Sequence, residues 1–319
     1  MLNLRFVAQI SFIGATTLGA AIVPALDYPN KPIRVVTSEI GGGSDFMTRI
    51  IAQGVTGPLG QPLVIENRAS RLTSEIVAKS VPDGYTVLFA GGVFVFAPLL
   101  GKMNYDPVKD FSPITVAVTA PNIVVVHPSV AVKSVKELIA LAKARPGQLN
   151  YGSGGLGGTP HLAAELFKSM AGVDIVGIAY KGTGPSVNAL VGGEVQLMFA
   201  TAGSVAPHVK SDRLRVLAVT SLRPSELFPG LPTVAATGLP GYDSATIYGV
   251  LVPVKTPVSV INRLHQEIVR FLKIPDTKVR FLNAGVEPVG SSPAEFAAII
   301  QADMTRMGKV IKDAGIKVD

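Results

Sequence analysis

Three glycine-rich turns constrain this chain most, because each follows an apolar run of strand length and opens a stretch with helical spacing. They are Gly41-Gly42-Gly43-Ser44-Asp45, Gly152-Ser153-Gly154-Gly155-Leu156-Gly157-Gly158-Thr159-Pro160-His161 and Lys181-Gly182-Thr183-Gly184-Pro185-Ser186. Strand, tight turn and helix form the repeating unit of α/β folds, whose ligands sit at the carboxyl ends of the strands. Glycine lets the backbone approach a ligand closely, and the following helix offers unpaired N–H donors and the positive end of its dipole. A single such turn is an ordinary connection, here with Thr159 as an N-cap and Pro160 and Pro185 in first helical positions. Three in one chain predict a seat for a carboxylate or phosphate.

The same alternation runs through the chain. Strands are expected at Ile33 to Ser38, Leu63 to Glu66, Tyr85 to Ala90, Asn122 to His127, Leu149 to Ser153, Ile175 to Tyr180, Val195 to Ala200 and Arg215 to Thr220. Helices are expected over Asp45 to Val55, over Ser134 to Ala144 behind the capping box Ser134-x-x-Glu137, from about Pro160 and Pro185, and over Val258 to Lys273 and Pro293 to Lys312. The apolar run Val87 to Leu100, broken by Gly91-Gly92 and Pro98, reads as a buried strand and turn. Pro224 to Gly241 reads as a long crossing segment.

At the N-terminus, Arg5 precedes apolar Phe6 to Ala21, then the small-residue exit Val23-Pro24-Ala25 and polar Asp27-Tyr28-Pro29-Asn30. This predicts a secretory signal peptide over residues 1–25, cleaved near Ala25, and a soluble exported protein. A membrane anchor is the alternative, but Gln9, Ser11, Thr16 and Thr17 interrupt a run already short of the ~20 residues of a span. The remaining length is at the upper limit for one core, so two domains are expected.

Composition removes several function classes. With 48% hydrophobic and 16% charged residues the chain is neither disordered nor a coiled coil. The absence of cysteine excludes thiol catalysis, a thiolate metal site and a lipid anchor on cysteine. No G-x-S-x-G, G-x-x-x-x-G-K-[ST] or H-E-x-x-H occurs, and His127, His161, His208 and His265 lie too far apart to suggest a metal triad. The net charge of +7 is scattered, with no aromatic-interleaved stripe for nucleic acid; it reads as a solvated surface or as an attraction for small anions. Gly152, Gly154 and Gly157 form a G-x-G-x-x-G, yet Asp174 precedes the next strand instead of ending it, so a dinucleotide is disfavoured and no cofactor is expected. His161 faces either ligand or a structural partner. Lys181 is either a counter-charge or a solvated lysine.

Several segments carry a family resemblance. They include Tyr28-Pro29-Asn30-Lys31-Pro32-Ile33-Arg34, Gly60-Gln61-Pro62-Leu63-Val64-Ile65-Glu66-Asn67-Arg68, Pro82-Asp83-Gly84-Tyr85-Thr86 and Tyr105-Asp106-Pro107-Val108-Lys109-Asp110-Phe111. Others are Pro146-Gly147-Gln148-Leu149-Asn150-Tyr151-Gly152-Ser153, Tyr180-Lys181-Gly182, Leu217-Ala218-Val219-Thr220-Ser221 and Pro232-Thr233-Val234. In this order, over residues 28 to 319, the chain resembles the Bug-type periplasmic solute receptors of tripartite tricarboxylate transporters. The resemblance implies a two-lobed α/β binding protein of type II-like architecture, each lobe a mixed sheet flanked by helices, closing on a small organic carboxylate. The lobe bounds 26–123 plus 242–319 and 124–241 follow from the same resemblance. It implies a monomer that delivers its ligand to the membrane subunits of the transporter, without catalysis. An exported hydrolase or oxidoreductase, or a receptor feeding a signalling partner, are the competing readings.

On this reading Gly41, Gly42, Gly43, Ser44, Asp45, Gly91, Gly92, Phe94 and Tyr248 face the ligand from one lobe. Ser153, Gly154, Gly157, Thr159, His161, Tyr180, Lys181, Gly182, Thr183, Ala200 and Thr201 face it from the other, with hinges near Pro121 to His127 and Thr220 to Ser244. The chain departs from the family pattern at Glu39-Ile40, where a proline is usual, and at Ala69 to Glu75, where a Pro-Gly-Ala-Gly-Gly-like stretch is usual. It also has Gly91 to Phe96 in place of a polar stretch, and Ala200 in place of an aspartate. These departures predict a monocarboxylate with an apolar or aromatic body.

Overall fold

A computed structural model describes residues 28–316; the expected signal peptide lies outside the described residues. The first half of the chain alternates as β1 (Ile33–Thr37), α1 (Gly43–Leu59), β2 (Leu63–Asn67), α2 (Ser70–Ala78), β3 (Thr86–Ala90), α3 (Val93–Leu100) and the long β4 (Phe111–Val126). Then follow α4 (Val135–Ala144), β5 (Asn150–Ser153), α5 (Thr159–Ala171), β6 (Val176–Ala179), α6 (Thr183–Val191), β7 (Leu197–Thr201), α7 (Ala202–Lys210) and β8 (Arg215–Val219). The chain ends with α8 (Val234–Thr237), β9 (Ala245–Pro253), α9 (Val258–Leu272), α10 (Pro275–Asn283), β10 (Glu287–Pro288) and α11 (Pro293–Asp313).

The strands run in the order β2-β1-β3-β9-β4-β7-β5-β6, with β8 and β10 also paired to β4. Pairs among β1, β2 and β3, and among β5, β6 and β7, are parallel, as short strand–helix–strand crossovers require. Every pairing made by β4 and β9 is antiparallel. The single strand β4 serves both lobes: Phe111 to Pro121 pair with β9, and Asn122 to Val126 pair with β7 and β8. The sequence exposes only its second half as a strand, because Pro113 and Pro121 read as breakers. Pro113 is tolerated because it sits beside a register shift.

The two faces of the first half-sheet are covered separately. Val35, Ile51, Val87, Val250 and Leu264 share one core under α1 and α9, and Val36, Leu88, Val116, Phe296 and Ile300 share another under α3 and α11. In the second half, Val124, Tyr151, Leu166 and Phe199 pack under α4 and α5, with Ile123, Leu190 and Met198 on the opposite face. Met307, Val310 and Ile311, in the last turns of α11, join the core of the second lobe, so this helix straddles both. It opens with the full capping box of Ser292 and Glu295. The box expected at Ser134 is only half formed: Ser134 accepts from the Glu137 N–H, but the Glu137 carboxylate turns back to the Lys133 N–H.

Val87 to Leu100 corrects the expectation of a strand and turn, since a helix fills its second part. Apolar all round, α3 buries Phe94, Val95 and Ala97, packs the partly buried Phe96, Leu99 and Leu100 on the second lobe's core and leaves Val93 half exposed, so it shows no amphipathic spacing. Pro98 removes the N–H that would reach the Phe94 carbonyl, and the Tyr105 hydroxyl donates there instead at 2.9 Å.

Candidate functional site

A cavity of about 240 Å³ opens at the carboxyl ends of β1 and β3. Its lining includes the first residues of four helices: Gly43 and Ser44 of α1, Ser70 of α2, Val93 of α3 and Thr159 of α5. The first N–H groups of a helix have no partner within it, and the dipole adds partial positive charge there. Hydroxyls of Ser38, Ser44, Ser70, Thr73, Ser74, Thr159, Thr246 and Tyr248 complete the wall, and no charged side chain lines it. Such a wall holds an anion by neutral donors.

Tyr248, on β9, explains two of the glycines. A β-carbon at Gly43 would lie 2.9 Å from its hydroxyl oxygen, and one at Gly91 would lie 3.1 Å from its ring. The ring stacks on Phe89, and burial raises the phenol's pKa, so it stays a protonated donor at neutral pH. Across the cleft, the Thr246 hydroxyl donates to that of Thr159 at 2.9 Å.

Two carboxylates beside the cavity belong to its scaffold. Asp45, buried in the first turn of α1, accepts from the Gly41 N–H at 3.0 Å, the Asn67 amide at 2.9 Å and Arg49 at 2.9 Å. Burial alone would raise its pKa; these donors outweigh burial and lower it. Gly41 has φ +80°, a left-handed turn that suits glycine, and this bond pins it. Glu39 accepts from the Ser70 N–H at 2.8 Å and its hydroxyl at 2.7 Å, which fills the N-terminus of α2 and lowers the Glu39 pKa. At the start of α3 the Phe94 and Val95 N–H groups already donate to the Gly91 and Gly92 carbonyls, so the start of α1 carries most of the free donor capacity.

Of the residues expected at the ligand, the cavity brings together Gly43, Ser44, Gly91, Gly92, Phe94, Thr159 and Tyr248. Gly157 lines the adjoining groove. Gly41, Gly42 and Asp45 form the back of the first turn. Ser153 is buried at the end of β5, where its carbonyl accepts from the Tyr180 N–H, and Gly154 accepts from the Gly182 N–H. A β-carbon at Gly154 would lie 2.8 Å from the Thr183 nitrogen, so this glycine serves packing within the second lobe. His161 is buried, accepts from the Gly157 N–H at Nδ1 and has a pKa lowered by burial. Ala200 is in the core, Tyr180 packs on that core, and Lys181, Thr183 and Thr201 are exposed away from the cavity. Sequence reasoning missed Ser38, Ser70, Thr73, Ser74 and Thr246. The spacing of Ser70, Thr73 and Ser74 is that of one helix face, a signal present in the sequence.

Among the described residues no group of three His, Asp or Glu side chains is placed to hold a metal, and no helix is long and apolar enough to cross a membrane. The family model described as tripartite tricarboxylate transporter family receptor matches residues 47–316. The protein BugT of Bordetella pertussis is 33% identical over 321 residues, covering 98% of each chain. The R. palustris protein Rpa4515, solved with adipate, is 35% identical with a TM-score of 0.70, covering 91% of this chain and 99% of its own. MatC from Rhodopseudomonas palustris, with bound malate, is 26% identical with a TM-score of 0.67, covering 89% and 100%. With its two-lobed α/β fold and this match over most of its length, the chain belongs to the tripartite tricarboxylate transporter receptor family.

Proposed function

We propose that the protein is a periplasmic receptor that binds a small organic carboxylate between its lobes and delivers it to the membrane subunits of a tripartite transporter. The observation that carries this reading is the uncharged, hydroxyl-rich cavity to which the start of α1 presents its N-terminal N–H groups, with the start of α5 on the facing side. Adipate and malate, bound by the two relatives from Rhodopseudomonas palustris, support the ligand class. The Gly43, Ser44, Gly91, Gly92 and Tyr248 wall seats the carboxylate, and Thr159 closes on it from the other lobe. The lobes comprise residues 26–123 with 242–319, and 124–241; export depends on a signal peptide over 1–25, and the receptor acts as a monomer. As a receptor of this family it binds and releases its ligand without a chemical step.

A ligand that binds only the folded state stabilises it by about 2.7 kcal/mol at a hundred times its dissociation constant. A panel of organic acids is therefore expected to raise the thermal midpoint. No shift with any acid, together with turnover of an ester or nicotinamide substrate, overturns the reading.

A further inference from the structure

The second lobe's side of the cavity hangs on one imidazole. Between Ser153, the last residue of β5, and Thr159, the first of α5, lie Gly154-Gly155-Leu156-Gly157-Gly158, a turn with almost no side chains to pack. Its near end is tied to the lobe, because the Gly154 carbonyl accepts from the Gly182 N–H at 3.1 Å. Its far end is tied by the Gly157 N–H, which donates to His161 Nδ1 at 3.2 Å; among the described residues no other side chain hydrogen-bonds this turn. Two residues beyond Gly157 stands Thr159, whose hydroxyl accepts from Thr246 and whose methyl would lie 3.0 Å from a β-carbon at Gly92. The bond from Gly157 to His161 therefore sets where the start of α5 stands against the first lobe.

That bond exists only while Nδ1 carries no proton, since protonation sets a donor against a donor. His161 is buried, with its ring 6.2 Å from that of Tyr151. Burial lowers its pKa and Lys168 adds to this, while Glu165 opposes both. Glu165 is itself engaged, accepting from the Tyr151 hydroxyl at 2.7 Å and from Lys168 at 2.8 Å. Of the other elements packed on α5, β7 carries no ionisable side chain and β9 carries Tyr248. The part of α11 that joins the second lobe's core carries Asp303 paired with Arg306, Lys309 paired with Asp313, and the exposed Lys312. The ring is thus neutral at neutral pH and charges only in acid.

We propose that His161 is a positioning residue for ligand capture: its neutral ring holds the Gly157 turn in the shape that seats Thr159 over the cavity, and protonation of the ring releases the turn and weakens binding. This rests on the cavity being the carboxylate seat. The ring touches no ligand and acts through the turn. By linkage, a ligand that needs the held turn competes with the proton, so binding in acid releases a proton from His161.

NMR of the ligand-free protein tests the bond itself. The Gly157 amide shift is expected to titrate with the same midpoint as the His161 ring, below the ~6.5 of an ordinary histidine. Calorimetric titration with adipate and with benzoate from pH 5 to 8 tests the consequence. His161→Asn places a carboxamide oxygen near the Nδ1 position that accepts at every pH, so the ratio of parent to variant affinity cancels the titration of the acids themselves. That ratio is expected to fall about fivefold from pH 8 to pH 5. His161→Phe, which keeps a ring and has no acceptor, is expected to bind about fivefold more weakly than the parent at pH 8 and to match it at pH 5. A Gly157 amide indifferent to the His161 titration, or a parent-to-Asn ratio constant with pH, overturns this proposal alone. Failure of every acid to shift the parent's thermal midpoint overturns the carboxylate seat instead, and the amide titration still decides whether His161 holds the turn.

Discussion

The two walls of the cleft are built on different principles although both begin from glycine turns. In the first lobe the turn is locked from behind by Asp45, so that Gly43 and Ser44 present the start of α1 to the cavity. In the second lobe most of the turn is consumed internally, with Gly154 against Gly182 and Thr183 and the Gly157 N–H on His161. Only Thr159 reaches the cavity. The same residue type thus does two jobs. Where a carboxylate of the protein holds the turn, the glycines line the cavity; where they hold each other, they fill a packing gap. On the proposed function, the first lobe would supply recognition and the second a cover.

The strongest way to break this asymmetry is Gly43→Val. The new side chain must displace the Tyr248 hydroxyl or enter the carboxylate seat, since the β-carbon alone lies 2.9 Å from that oxygen. Carboxylate affinity is expected to fall by roughly tenfold to a hundredfold, the scale of losing hydrogen bonds to a charged group. Gly154→Val at the equivalent turn should instead act on stability, read as a lower thermal midpoint. Calorimetry and thermal melts of both variants decide; an affinity loss at Gly154 with Gly43→Val unaffected reverses the assignment of the walls.

Asp45→Ala comes next. It leaves the Gly41 N–H and the Asn67 amide without their acceptor and frees Arg49. The loss is expected to be about 1 to 2 kcal/mol of unfolding free energy, measured by urea denaturation, because hydrogen bonds to a charged acceptor are lost while Gly41 and Arg49 are open to water and the Asn67 amide keeps the Ser38 carbonyl. A variant as stable as the parent would mean that the turn holds without its carboxylate.

The sequence made Gly43 and Ser44 of the first turn legible as cavity residues but not the role of Asp45, because an aspartate beside glycines looks the same whether it meets a cavity or backbone. The strand–helix alternation was readable wherever one face was exposed, as in α9 with its stripe of Val260, Leu264 and Ile268. It failed where the open face is as apolar as the buried one, in α3, and where prolines interrupted a strand that tolerates them, in β4. Ser70, Thr73 and Ser74 share a helix face in the sequence, but small hydroxyl side chains occur everywhere, so that spacing alone marks no site, and Thr246 carries no signal of its own. Only the convergence of α2 and β9 on one cavity distinguishes them.

A smaller effect sharpens the idea of the second lobe as a cover. Thr159→Val removes one hydrogen bond, that from Thr246, while keeping the shape that packs against Gly92. Affinity should fall about threefold to tenfold, in line with about 1 kcal/mol for a neutral hydrogen bond. Small-angle scattering should show less compaction on ligand addition than in the parent. Full compaction with unchanged affinity would remove Thr159 from the closure.

The smallest effect concerns the joint between the walls, where carboxylates behave oppositely to Asp45. Asp243 lies at the end of the second crossing and accepts from the Leu222 N–H at 3.1 Å; Asp303 and Arg306 face each other on α11. Burial raises the pKa of both aspartates, only partly offset by Arg306, and Asp243 raises Asp303 further. The Arg306 Nε and both amide atoms of Asn122 are buried without partners, so the joint is less fully bonded than the first turn. A raised carboxylate contributes stability when protonated, and that contribution is lost as pH rises through the folded value. A lowered one, such as Asp45, contributes stability when ionised and loses it as pH falls through its folded value. Asp243→Asn, which keeps the acceptor for Leu222, should therefore melt about 1 to 2 °C above the parent at neutral pH and converge with it in acid. Asp45→Asn should melt below the parent at neutral pH and also converge in acid. Thermal midpoints from pH 4 to 8 compare the two, and curves of the same sign would show that joint and turn treat their carboxylates alike.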